Sequence, residues 1–410
     1  MRSLLLFRQF FAHLPGRRRH LSTANLRISV NEESGDPSSS TTESLSSGKC
    51  TPFIDATHRY MNAISLLKSE TDPSRILSIC RSAALSSDHH IGRAALSTAV
   101  STLASSPDHV PSVRSLLSPL LRSDSDLPHA IVLFGLAGLL DDAIAAFRSS
   151  PSLRSLNALL FACILSNNHQ QAGVFFRDFP VYYRIKPNLL TYNTVIKAFS
   201  NSGGSRTFYS YLDEMVRKGI KPNLATFSIS ITGFYREERF DDVKKVLWLM
   251  KKHGRHAGLS IYNVRVQSLC KLGRPGEAKE LLREMTLRGM KPNWVTYDHL
   301  ILGFCSAGDL DEGKRLFKEM KLRALVPQSS CYFNLAHYLC KGGDFEFALE
   351  ICKESLERNW APRFTTMKML VEGLVGMAKV KDAREIVEKM KGKFSRNIDL
   401  WKKMEESLPD

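Results

Sequence analysis

One spacing governs this chain. Across residues 187–364, several residue types recur every 35 positions. Proline stands at Pro187, Pro222, Pro292, Pro327 and Pro362, with Ala257 in the one vacant slot. An aromatic ring stands at Tyr192, Phe227, Tyr262, Tyr297 and Tyr332. Met215, Met250, Met285 and Met320 make a third column, resumed in phase at Met390, and Cys270, Cys305 and Cys340 make a fourth. Four independent columns on one spacing require a repeat architecture.

The unit that runs from Ser260 shows what one repeat is. Tyr262, Val266, Leu269 and Cys270 follow a helical period, and Gly273 breaks it. A second amphipathic run carries Ala278, Leu281, Leu282 and Met285, after which Gly289 and Pro292 supply the stop signals of a helix end. Each unit is therefore a helix, a tight turn and a second helix. Small residues at Ala172, Ala278, Gly313, Ala348 and Ala383 allow the two helices to approach, with Phe208 and Val243 breaking that column. One such pair cannot bury its own apolar face, whereas stacked pairs can. The expected fold is all-α, a solenoid of helix-turn-helix repeats.

The unit VTYDHLILGFCSAGDLDEGKRLFKEM from Val295, and the Gly-x-Lys-Pro-Asn endings at 219–223 and 289–293, resemble the pentatricopeptide repeat (PPR). The resemblance covers about residues 154–394, with repeats starting near Arg154, Leu190, Ala225, Ser260, Val295, Ser330 and Thr365. The first is one residue longer than the rest, and the near-uniform length resembles the P class. The tetratricopeptide repeat, with its period of 34, lacks that ending. The family implies a right-handed superhelix. Segments 65–85, 331–355 and 393–409 are similar to a short subgroup of plant mitochondrial members associated with the mitochondrial ribosome.

Composition bounds the rest. The formal charge is +16 and the isoelectric point about 9.5, a balance that favours a polyanionic partner. Arg2, Arg8, Arg17, Arg18, Arg19 and Arg27 precede the first acid, Glu32, and their removal would leave +10. Residues 1–30 therefore read as a mitochondrial transit peptide, with processing near Leu21, and the expected compartment is the matrix. Residues 31–52, rich in Ser, Thr and Glu, read as a disordered linker. Residues 53–153 read as degenerate helical repeats, the adjacent His89 and His90 as part of a loop, and 395–410 as a capping tail in which Trp401 covers the last apolar edge. The apolar run at 131–140 is too short to span a bilayer, and no membrane partner is expected. The eight cysteines show no zinc spacing, and the periodic three read as small buried thiols.

No phosphate-cradling glycine loop, nucleophile elbow or metal cluster is recognisable, and the deaminase signature His-x-Glu with Pro-Cys-x-x-Cys is absent. Sixteen residues follow Phe394, too few for a catalytic domain. The chain reads as a non-enzyme without cofactor or metal. The family resemblance instead implies binding positions: the fourth residue of a unit's first helix and the second-to-last residue of the unit face one base. Carried over, the pairs are Asn157 with Asn188, Asn193 with Asn223, Ser228 with Gly258, Asn263 with Asn293, Asp298 with Gln328, and Phe333 with Arg363, while Lys368 lacks a partner. Asn with Asn implies a pyrimidine. Leu190 and Val295 suit an aliphatic that stacks between bases; Arg154, Ser260 and Ser330 do not. The competing reading is that an asparagine at a helix start caps it. Arg236, Lys271 and Lys341 share one slot at the end of the first helix, where a cation meets phosphate or the helix's own negative end.

Three functions follow as alternatives. The first is a non-catalytic binder of single-stranded RNA or ribosomal RNA, held with the proteins of the mitochondrial small ribosomal subunit and contributing to translation. The second is a site-specific factor for the stability or processing of one organellar messenger, which favours a longer run of coherent pairs. The third is a protein-interaction scaffold. DNA is not an expected partner.

Overall fold

The computed structural model describes residues 52–67, 70–83, 90–393 and 398–409. The segment read as a transit peptide with its processing site, nearly all of the segment read as a linker, and His89 lie outside these residues. Every regular element among the described residues is helical. The chain divides into two compact units, one up to Ala198 and one from Phe199.

In the first unit, helices Pro52–Leu67, Pro73–Ser82, His90–Leu103 and Val110–Leu117 precede the hairpin of Leu127–Leu136 and Leu140–Ser149. His90 opens a helix rather than lying in a loop. The apolar run that begins at Ile131 belongs to the Leu127–Leu136 helix, where all but the last residue are buried. That helix packs on Leu153–Leu165, and the approach is close enough to demand glycine: a Cβ on Gly135 would lie 2.4 Å from Ala162 Cα. Among the described residues no helix is long and apolar enough to cross a membrane.

The second unit shows the repeat most clearly. Hairpins Leu224–Arg236/Phe240–Lys252, Leu259–Lys271/Pro275–Leu287, Trp294–Ser306/Leu310–Leu322 and Ser329–Lys341/Phe345–Glu357 follow one another at the sequence period. The first helix of each hairpin packs on its own second helix, and successive first helices pack on one another from Leu224–Arg236 through to Phe364–Gly376. Phe364–Gly376 and Val380–Lys393 form the last pair, and Ile398–Glu406 closes it.

The columns have separate physical causes. Tyr262, Tyr297 and Tyr332 are buried, and their hydroxyls donate to Glu284, Glu319 and Glu354 at 2.8, 2.8 and 2.7 Å. A buried hydroxyl needs such a partner. In the one repeat with Phe227, the glutamate position holds Leu249, so ring and partner change together. Met215, Met250, Met285, Met320 and Met390 are buried within the stack. The cysteine column is buried, and two of its members lie tight against glycines: a Cβ on Gly303 would lie 2.4 Å from Cys270 Sγ, and one on Gly313 2.5 Å from Cys305 Sγ. Burial pushes the thiols of Cys270, Cys305 and Cys340 up to about 12, which makes them poor nucleophiles.

Each turn needs one left-handed residue. Between repeats, Gly219, Gly254 and Gly289 take φ near 70°, and the same position then falls to Ala324 and Asn359 at 56° and 57°. A Cβ is strained there. Replacing Ala324 by glycine is therefore expected to stabilise the second unit by about 0.5–1 kcal/mol, read as a higher urea midpoint with unchanged slope.

Candidate nucleic-acid interface

The turn that ends each repeat leads into the next first helix through an extended residue. Where that residue is asparagine it caps the helix. Asn188 Oδ1 accepts from the Thr191 amide at 3.1 Å, Asn223 Oδ1 from Thr226 at 3.0 Å and Asn293 Oδ1 from Thr296 at 3.2 Å. The threonine hydroxyls accept in return from the backbone N–H of Asn188, Asn223 and Asn293. These are reciprocal capping boxes, and they stabilise the helix starts. The capping reading of these three asparagines is thus a structural fact, and it is carried by Oδ1, not by the Nδ2 group.

The asparagines inside the first helices meet the same threonines. Thr191 Oγ1 donates to Asn157 Oδ1 at 2.7 Å, and Thr296 Oγ1 donates to Asn263 Oδ1 at 2.7 Å. Asn263 Nδ2 donates in turn to Asn293 Oδ1 at 3.2 Å. The pair Asn263 with Asn293 is therefore in direct contact, and Asn157 with Asn188 is joined through Thr191, which also lies 3.0 Å from Asn188 Oδ1. Asn157 is buried and Asn188 exposed. Asn193 is buried in the first unit, and Asn223 is half-buried in the second.

The other positions are different. Ser228 Oγ donates back to Leu224 O at 2.8 Å, and Gly258 has no side chain, so this repeat offers no amide. Gln328 is exposed and reaches only Val326 O at 3.4 Å. Asp298 is half-buried; Ser330 donates to its Oδ2 at 3.4 Å, while its buried Oδ1 lacks a hydrogen bond. Burial raises its pKa, with hydrogen bonds from Ser330 and Cys331 opposing. Phe333 is half-buried, Arg363 is exposed, and Lys368 pairs with Glu372 at 3.5 Å. Leu190 and Val295 are half-buried on the same helix starts.

A carboxyl whose pKa is raised by folding costs stability once it is ionised. Asp298→Asn is therefore expected to stabilise the second unit at neutral pH by about 1 kcal/mol or more. The gain should fade as pH falls through the folded pKa of Asp298 toward the ordinary carboxylate range. Urea melts of both proteins across that range check this.

The three cations separate. Arg236 donates to Ser200 O at 2.7 Å and Asn201 Oδ1 at 3.2 Å, so it closes the carbonyl end of the preceding first helix. Lys271 is exposed, and its charge, after burial, helps lower the pKa of His299 to about 4. Lys341 is exposed at the end of its helix.

Sequence reasoning missed the threonines. Their signal was present: Thr191, Thr226, Thr296 and Thr366 share one slot, broken only by Ile261 and Cys331. Among the described residues, no group of three or more His, Cys, Asp or Glu could hold a metal ion.

Family models agree with this architecture at three places. Residues 187–236 match the PPR repeat family, and residues 260–290 and 288–321 each match a PPR repeat. A protein of Arabidopsis thaliana, named as a mitochondrial pentatricopeptide repeat-containing protein, is 50% identical over 360 residues, covering 85% of this chain and 89% of that protein. The chain is a pentatricopeptide repeat protein. The A. thaliana small ribosomal subunit protein mS78 is 35% identical to this PPR protein over 95 residues, 22% of this chain and 24% of its own length. In fold, the crystal structure of the maize pentatricopeptide repeat protein PPR10 superposes with a TM-score of 0.51 at 19% identity, over 85% of this chain and 54% of the maize chain. This PPR protein thus spans about half the length of that structural neighbour.

Proposed function

We propose that this PPR protein binds single-stranded RNA without altering it, inside mitochondria, and that it works at the small subunit of the mitochondrial ribosome. The observation that carries the RNA-binding part is the Asn263–Asn293–Thr296 cluster. Two amides meet at 3.2 Å, their carbonyl oxygens are occupied within the protein, and N–H groups remain to meet the acceptors of a base edge. In the first unit Thr191 joins Asn157 to Asn188, its hydroxyl 2.7 Å from Asn157 Oδ1 and 3.0 Å from Asn188 Oδ1. The basic composition supplies the sequence-independent attraction to phosphate.

The mitochondrial and ribosomal parts rest on relatives: one named mitochondrial at 50% identity, and small ribosomal subunit proteins mS78 and mS79 at lower identity over shorter stretches. The small number of coherent amide pairs favours constant company over a search for one messenger. Sedimentation of tagged full-length protein from mitochondrial extract tests this reading. The protein is expected to travel with the small subunit and to remain there after nuclease removes messenger RNA. Release with the messenger would instead make it a messenger-specific factor, and migration apart from any RNA would make it a protein scaffold.

A further inference from the structure

We infer that Thr191 and Thr296 are positioning residues for base recognition, each holding the amide carbonyl of the preceding repeat's helix asparagine so that an N–H, not the carbonyl, is left for the RNA. This rests on the RNA-binding reading above.

A threonine hydroxyl has a single hydrogen to give. In the capping box the helix-start asparagine takes the threonine's backbone N–H on its own Oδ1, at 3.1 Å for Asn188 and 3.2 Å for Asn293. The hydroxyl oxygen takes the asparagine's backbone N–H through a lone pair. Two acceptors lie within reach of the hydroxyl proton: Oδ1 of the helix-start asparagine, 3.0 Å from Thr191 and 3.2 Å from Thr296, and Oδ1 of the neighbouring repeat's asparagine, 2.7 Å away at both Asn157 and Asn263, and the shorter contact takes it. An amide oxygen and nitrogen are told apart by their partners. A hydroxyl already committed as a donor fixes the oxygen on its side. In the Asn263 cluster the Nδ2 contact to Asn293 Oδ1 at 3.2 Å agrees with the same sense. Asn263 then keeps one N–H and Asn293 keeps its Nδ2 group, a surface of donors. Such a surface suits the adjacent acceptors of a pyrimidine edge and opposes a base that presents donors.

The repeats that lack the threonine also lack the pair. Ile261 follows Ser228 and Gly258, and Cys331 follows Asp298 and Gln328. Thr366 is the instructive exception: Phe333 in the preceding helix has no amide to receive its proton, and Thr366 Oγ1 lies 3.4 Å from His337 Nδ1 instead. The reading unit is therefore three residues spread over two repeats.

Selection from a randomised RNA pool by the full-length protein reads the base preference at each bound position. Thr296→Val removes the hydroxyl at nearly constant volume. It is expected to reduce the pyrimidine preference at one position by about two- to tenfold, with the other positions unchanged, and Thr296→Ser is expected to restore it. A gain-of-function series guards against a variant that merely folds poorly. D298N with Q328N should create little new preference, whereas adding C331T should create a pyrimidine preference at that repeat. The inference is overturned if Thr296→Val keeps the wild-type preference, if it weakens every position equally, or if C331T adds nothing to the double variant. A wild-type protein that retains no RNA would overturn the RNA-binding reading beneath it.

Discussion

Replacing Trp401 by alanine is expected to detach the C-terminal helix and open the end of the second unit. Trp401 is fully buried, and its ring meets Phe364 edge-on with centroids 4.8 Å apart. It is the one buried anchor of Ile398–Glu406, a helix of nine residues. A helix that short is unstable by itself and holds its form through packing. Polar ties at the periphery join Lys391 to Glu405, and Arg384 to Pro409 O at 2.6 Å. Val371 lines a surface pocket with Leu400 and Met404 of this helix, and the helix packs on Val380–Lys393, whose Ile386, Val387 and Met390 are buried, apolar side chains that a stack must keep from water at its end. Truncating a buried tryptophan costs about 3–5 kcal/mol. Because a repeat array need not unfold in one step, local hydrogen exchange is the right measurement. Amides of Ile398–Glu406 and Phe364–Gly376 should exchange faster by about two to three orders of magnitude, with little change in Leu259–Lys271.

The second large effect is expected at Gly135. A methyl group there would stand 2.4 Å from both Ala162 Cα and Cβ, and 2.8 Å from Ala162 O. Two of these three atoms are backbone, so no rotamer change relieves the overlap. The helices Leu127–Leu136 and Leu153–Leu165 must separate, and contacts along both buried faces weaken together. Overpacking of this kind costs about 1–3 kcal/mol, occasionally more. Gly135→Ala should lower the urea midpoint of the first unit. Gly276→Ala is the matched control. Gly276 lies near the start of Pro275–Leu287, with nothing within 4 Å of its absent Cβ. There the higher helix propensity of alanine should stabilise by about 0.5–1 kcal/mol.

The repeat was legible because its columns answer to different forces. Proline, tyrosine, methionine and cysteine keep one spacing for reasons of backbone, hydrogen bonding and packing, so their agreement leaves little room for another fold. The left-handed turn shows what residue identity hides. Gly289 announces it and Asn359 tolerates it, but Ala324 adopts the same φ with no sequence mark of its own. The candidate site was less legible. Asparagine near a helix start serves capping and recognition alike, and in Asn293 the two coexist, because Oδ1 does one and Nδ2 is left for the other. The third member, Thr296, was passed over because its bond to Asn263 crosses 33 residues, from one repeat to the next. Arg236 likewise reads as a phosphate ligand until Ser200 O is seen 2.7 Å from its guanidinium.

The central claim is that the asparagine–threonine clusters of the first helices meet RNA. Ultraviolet crosslinking in intact mitochondria, with the crosslinked peptide and the attached RNA identified together, tests it most directly. The account predicts crosslinks on peptides from Leu153–Leu165, Leu189–Asn201, Leu259–Lys271 and Trp294–Ser306, joined mainly to ribosomal RNA. Crosslinks confined to second helices such as Pro275–Leu287 and Leu310–Leu322, or no RNA on any of these peptides, would contradict it.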